Sequence, residues 1–177
     1  GSGFTDLFNR SNDNGIGAAN QTGFYWGMED WAGAGNTETL VLDQIDVTGS
    51  TGFTFSIDML AHHFDDWDDS DELLITYSID GGMAQDLMWV QNTGDQFNAP
   101  AAIDTDFDGN GNCGVGTTLP AISTGTSDGC TVSNSDFETF TAGPITLSGN
   151  TTLDITLTFV DLSSGDEGIY IDNIVIT

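Results

Sequence analysis

The chain has 177 residues, with 28 Asp or Glu against a single Arg and no Lys, for a formal net charge of −27. That charge opposes direct binding to nucleic acid, acidic polysaccharide or anionic membrane, whose phosphates, sulfates or carboxylates are repelled unless a cation bridges them. No apolar run approaches the ~20 residues that cross a bilayer, Gly1-Ser2-Gly3-Phe4 lacks a signal-peptide pattern, and the length suits a single domain over 1–177.

Of the acids, 23 are Asp and 5 are Glu. Asp prefers turns to helix interiors, so the charge gathers where metal loops form. Salt-adapted solubility is the other source of such a bias.

Taken along the chain, the hydrophobic period is two. Strands are predicted at 24–28 and 39–47, and again where Phe53, Phe55, Ile57 and Met59 alternate with Thr54, Ser56 and Asp58. The acidic segment His62-His63-Phe64-Asp65-Asp66-Trp67-Asp68-Asp69-Ser70-Asp71-Glu72 follows, before a strand at 73–79. Two readings of it stay open. In the first, Asp65, Asp68, Asp71 and His63 bind a further calcium or sugar hydroxyls while Trp67 stacks on a sugar ring. In the second, the segment is a charged hairpin tip whose Trp folds back over a sheet edge. Trp26, Trp31 and Trp89 face the same choice, and the strand patterns around Trp26 and Trp89 favour the core. Asp80-Gly81-Gly82 reads as a tight turn toward a strand at 87–91.

The next segment is the most specific. Asp104-Thr105-Asp106-Phe107-Asp108-Gly109-Asn110-Gly111-Asn112 has the alternating carboxylates and turn glycine of a calcium loop, with Asp104, Asp106, Asp108, Asn110 and Asn112 as candidate ligands. It is not an EF-hand: the twelfth position holds Val115 in place of a bidentate Glu, and no helical pattern flanks it. Carbonyls, water or a neighbouring acid must complete the cage, and a solvated acidic turn is the alternative. Cys113 and Cys130 bracket the polar stretch 114–129. A disulfide closing it is expected to stabilise by ~3 kcal/mol in the chain-entropy model, with two free thiols as the alternative.

Gly125-Thr126-Ser127-Asp128-Gly129 satisfies a serine-hydrolase string, but no apolar strand precedes it, no helix follows, and both histidines lie upstream. With no Lys and one Arg to stabilise a transition state, no catalytic residue is assigned and a non-enzyme is expected. Further strands are predicted at 137–147, at Leu153, Ile155, Leu157 and Phe159, and at 169–176. In the last, the apolar phase changes between Ile171 and Ile174, which predicts a bulge at Asp172-Asn173. Eight or so strands, 23 Gly and no helical pattern predict an all-β, antiparallel two-sheet β-sandwich, a jelly roll.

The ending Gly168-Ile169-Tyr170-Ile171-Asp172-Asn173-Ile174-Val175-Ile176 resembles the closing strand of jelly-roll modules such as the MAM domain and carbohydrate-binding modules. With Phe97-Asn98-Ala99-Pro100, Asp104 to Gly111, Phe137 to Phe140 and Gly165-Asp166-Glu167, it is similar to a calcium-binding module of secreted marine bacterial proteins, most specifically in the second half. The Cys113–Cys130 loop departs from that pattern. The resemblance implies a structural calcium joining Glu29 or Asp30 to Asp172, helped by Asp166 or Glu167. It also implies a non-catalytic secreted or surface module whose partner is a polysaccharide or cell-surface glycan, with no nucleic acid and no direct membrane insertion. The rival functions are a structural or adhesive unit that self-assembles with copies of itself at calcium-stabilised junctions, and an accessory domain beside an extracellular hydrolase or nuclease. Asn20-Gln21-Thr22 and Asn150-Thr151-Thr152 are glycosylation sequons of little weight.

Overall fold

Alternation of aromatic and β-branched residues with Thr, Ser and Asp forms strands because successive side chains point to opposite sheet faces. The structure, a computed structural model, describes residues 7–11, 16–30, 36–94, 97–164 and 167–177. Trp31 and Asp166 therefore lie outside the described residues. Among those described there is no α-helix, and thirteen strands follow in order: β1 Leu7–Ser11, β2 Tyr25–Glu29, β3 Thr37–Asp46, β4 Gly52–His63, β5 Glu72–Ile79, β6 Gln85–Asn92, β7 Ala101–Ile103, β8 Ala121–Ser123, β9 Gly125–Ser127, β10 Cys130–Val132, β11 Glu138–Thr146, β12 Thr152–Val160 and β13 Gly168–Ile176. No helix among them is long and apolar enough to cross a membrane.

Each strand expected from alternation is present. The ones not expected are β1 at the sheet edge and the three-residue strands β7 to β10, too short to show a period. One sheet runs β1-β2-β13-β4-β11, with β8 added in parallel to β4, and the other runs β3-β12-β5-β6-β7. Apart from β8, their ladders are antiparallel, and β9 and β10 form a separate ribbon. Inward rows of β4 (Phe53, Phe55, Ile57, Met59) and β12 (Leu153, Ile155, Leu157, Phe159) are buried in one core cluster shared by the two sheets, the packing of a β-sandwich. Each such side chain contributes roughly 1.5–3 kcal/mol on burial.

Two local features position the polar groups. The ladder of β13 on β4 shifts register between Asp172 and Val175, the bulge expected from the phase change. At the β5–β6 hairpin, Asp80 and Gly81 both take left-handed φ (50° and 69°), a conformation that Asp and Gly tolerate best. Cys113 and Cys130, 17 residues apart with Cα atoms at 5.5 Å, are disulfide-bonded.

Candidate metal centre

The acidic loop after β7 is pinned at both ends by the sheet. Asp104 donates its N–H to the Trp89 carbonyl (2.8 Å), Gly111 to Asn92 (2.7 Å) and Asn112 to Ile103 (2.9 Å). Inside the loop, Asp104 is 1% exposed and acts as an anchor. Its Oδ1 accepts the N–H groups of Asp106 (3.2 Å) and Phe107 (2.7 Å), and its Oδ2 that of Gly109 (2.9 Å). Phe107 at φ 57° and Gly109 at φ 101° make the reversals that bring those amides inward. Asp108 accepts the Asn110 N–H at 3.1 Å, and the Asn112 side-chain oxygen braces the loop by accepting the Thr105 N–H at 2.6 Å.

This bracing brings one carboxylate oxygen each from Asp104, Asp106 and Asp108 within 4.8 Å of one another. Oxygens on opposite sides of a calcium ion, each bound at 2.3–2.6 Å, stand about 5 Å apart, so the three fit on one coordination sphere. A carboxylate has about four lone-pair positions, and Asp104 uses three on backbone amides. Asp106 and Asp108 are exposed and able to turn onto an ion.

The second acidic segment divides into parts with different fates. His63 Nδ1 stands 2.8 Å from Asp65 Oδ1 and 3.4 Å from Asp66 Oδ2, and this trio also converges within 4.8 Å. Trp67 corrects the expectation of a sugar-stacking platform. Its backbone forms a two-way bridge with Ala99 (3.2 and 2.9 Å), which draws the indole between the sheets and leaves it 0% exposed. A side chain enclosed in the core cannot meet a sugar. Asp68 accepts the Asn98 N–H at 3.3 Å and donates its own N–H to Asp71 Oδ2 at 2.6 Å. Asp71 is buried, and that burial, reinforced by repulsion from Glu167, Asp68 and Asp161 against the Asp68 N–H, pushes its carboxyl up to about 9.

The ligand pair implied by the resemblance is not brought together. The β2–β13 register sets Glu29 opposite Gly168, four residues from Asp172, a separation of about 13 Å along the strand. Glu29 instead lies buried with its Oε2 accepting the Tyr170 hydroxyl at 2.5 Å and its Oε1 3.1 Å from His62 Nδ1. Half-buried Asp172 accepts the N–H of Asn173 at 2.8 Å, and half-buried Asp30 donates to the Glu167 carbonyl at 3.4 Å. Glu167 is itself nearly enclosed, its Oε2 accepting the N–H groups of Ser163 (2.7 Å) and Ser164 (2.6 Å). Burial dominates there too, outweighs those amides and pushes the carboxyl up to about 7. Sequence reasoning missed Asp161, whose only signal is the pairing of β5 with β12.

Two of the clefts that lie outside these loops bear on ligand binding. One of about 430 Å³ sits beside the disulfide, among Leu119, Val132, Asn134 and Glu138, with no aromatic in its wall. The other, of about 220 Å³, lies where β2 and β13 face β3 and is walled by Phe24, Trp26, Leu40 and Ile174 with Arg10 and Asp172. There the Arg10 guanidinium stands 3.7 Å over the Phe24 ring, which is 45% exposed.

Comparison with models of known protein families gives no match, and no curated protein matches the chain.

Proposed function

We propose that the chain is a non-catalytic calcium-binding module of jelly-roll type, belonging to a secreted or surface protein, and that it binds glycan. The observation that carries this reading is the convergence of Asp104, Asp106 and Asp108 on a single calcium-sized sphere, on a loop whose ends are fixed to β6 and β7. The disulfide is compatible with an oxidising extracellular compartment. For the glycan, the Phe24–Trp26 cleft supplies what a sugar requires: aromatic faces for its C–H surface and polar side chains, Arg10 and Asp172, for its hydroxyls.

Calcium at a hundred times its dissociation constant stabilises a folded protein by roughly 2.7 kcal/mol. Asp106→Ala is therefore expected to lower the melting temperature in calcium and to leave it nearly unchanged in EDTA. Equal losses in both would show that the loop carries no ion. Retardation on a neutral polysaccharide gel by a protein that stays monomeric in calcium supports the glycan; growth in light scattering on adding calcium supports self-assembly instead.

A further inference from the structure

Asp71 extends the inward-facing row of β5, in register with Leu73, Ile75 and Tyr77, so the alternation that buries those apolar side chains also carries a carboxylate to the rim of the core. It is 1% exposed. Its Oδ2 accepts the Asp68 N–H, whereas its Oδ1, equally enclosed, meets no hydrogen-bond donor. A buried carboxylate oxygen left unmatched is strongly unfavourable, and native structures supply it with a donor or a cation.

The neighbourhood supplies more acid. The β5–β12 ladder ends where Glu72 pairs with Val160, so Asp71 and Asp161 each lie one residue beyond the same end of it, Asp161 turning away from the strand at φ 58°. Glu167 enters from the segment leading into β13, nearly buried and held by the Ser163 and Ser164 amides, and Asp68 stands three residues before Asp71. Glu167, Asp68 and Asp161 all lie close enough to repel the Asp71 carboxylate. The chain has no Lys, and its one Arg is at the Phe24 cleft.

We propose that Asp71 and Glu167, with Asp68 and Asp161, form a second calcium site where the segment between β4 and β5 meets the segment between β12 and β13. The donors are all oxygens, which selects a hard cation; zinc and copper would draw on imidazole or thiolate. Among the described residues, three mutually converging acid or His ligands occur at the Asp104 and His63 sets and not here. The ion therefore takes part of its shell from water and carbonyls. Calcium, with six to eight ligands in irregular geometry, suits that arrangement better than magnesium, which demands a near-ideal octahedron.

This site uses none of the residues of the Asp104 loop and does not rest on that reading. The test counts calcium ions per chain by titration calorimetry on EDTA-stripped protein, for wild type, Asp71→Asn, Glu167→Gln and Asp104→Asn. Asp71→Asn and Glu167→Gln are each expected to bind one ion fewer, and Asp104→Asn to lose a different one, so that Asp71→Asn/Asp104→Asn loses two. Asp71→Asn should also melt no lower than wild type in EDTA, because without the ion nothing at the site calls for a carboxylate, and lower than wild type in calcium. Full calcium stoichiometry in both Asp71→Asn and Glu167→Gln overturns the proposal. Wild-type crystals grown with calcium give a measurement free of variants: an anomalous peak between Asp71 and Glu167 is expected, and its absence overturns the site whether or not the Asp104 loop shows one.

Discussion

Asp80, an exposed carboxylate at a hairpin tip, fastens the connection between β11 and β12, which crosses from one sheet to the other, to its own hairpin. It accepts the Asn150 amide (2.9 Å), the backbone N–H groups of Thr151 and Thr152 (2.9 Å each) and the Thr151 hydroxyl (3.0 Å). The Asn150 amide first, and then the two backbone amides, favour the ionised form and hold this carboxyl well below the usual carboxylate range. A folded-state pKa below the unfolded one means that the folded state binds fewer protons between the two values. The stabilisation is then complete above the unfolded value of ~3.9 and is lost as pH falls through the folded value. Asp80→Asn keeps a residue that tolerates the left-handed φ and removes the charge. Scanning calorimetry in EDTA should show it melting below wild type at neutral pH, with the gap narrowing below about pH 4; a gap independent of pH would remove the carboxylate from the account. The sequence marks Asp80 as a turn residue because the Asp-Gly-Gly signal is local. Its partners lie 70 residues and more away, and nothing local announces them. Trp67 shows the same limit: a Trp among acids reads equally as a platform or a cover, and the distant bridge to Ala99 decides for the core.

At the scale of elements, the acidic loop proposed to hold calcium was legible in its carboxylates and not in its anchorage. The D-x-D-x-D-G spacing is contiguous, so it announces itself; the amides that hold the loop go to Trp89, Asn92 and Ile103, on β6 and β7. β7, at three residues, has too short a pattern to be read, and with it went the frame of the site. The Asp71 neighbourhood was hidden for another reason: its strands were readable, but Asp161 and Glu167 approach Asp71 only through the pairing of β5 with β12 and the entry into β13. Gly111 reports on this anchorage. A Cβ there would stand 2.6 Å from the Gln91 carbonyl oxygen and 2.8 Å from that of Ala102, both backbone, so the loop must move away from the sheet to admit it. Gly111→Ala is expected to destabilise the protein by about 1–3 kcal/mol, as overpacking does, and to weaken calcium binding as the three carboxylates lose their common centre. Denaturant unfolding and calcium titration measure the two effects. Full calcium affinity in Gly111→Ala would mean that the loop shapes itself without the sheet.

Across the whole molecule, a net charge of −27 on 177 residues must be screened, neutralised by protonation, or held by bound cations. These responses differ in how they depend on salt. Screening is diffuse: the Debye length shrinks from about 10 Å at 0.1 M to about 3 Å at 1 M, so sodium chloride should raise the melting temperature gradually, without saturating at low concentration. Binding is stoichiometric, follows the logarithm of free ion over dissociation constant, and distinguishes ions of equal charge. The geometry favours binding, because Asp104 and Asp71 are nearly enclosed and diffuse counterions reach enclosed carboxylates poorly. Melting curves of EDTA-stripped protein at matched ionic strength should therefore rise more with millimolar calcium than with magnesium, and more with magnesium than with sodium. Asp106→Ala and Asp71→Asn should each reduce the calcium increment while leaving the sodium response intact. Three coincident curves at matched ionic strength would assign the acidity to solubility in salt. Separate curves, with the calcium increment removed site by site, would mean that the ions hold the loops of this sandwich in place.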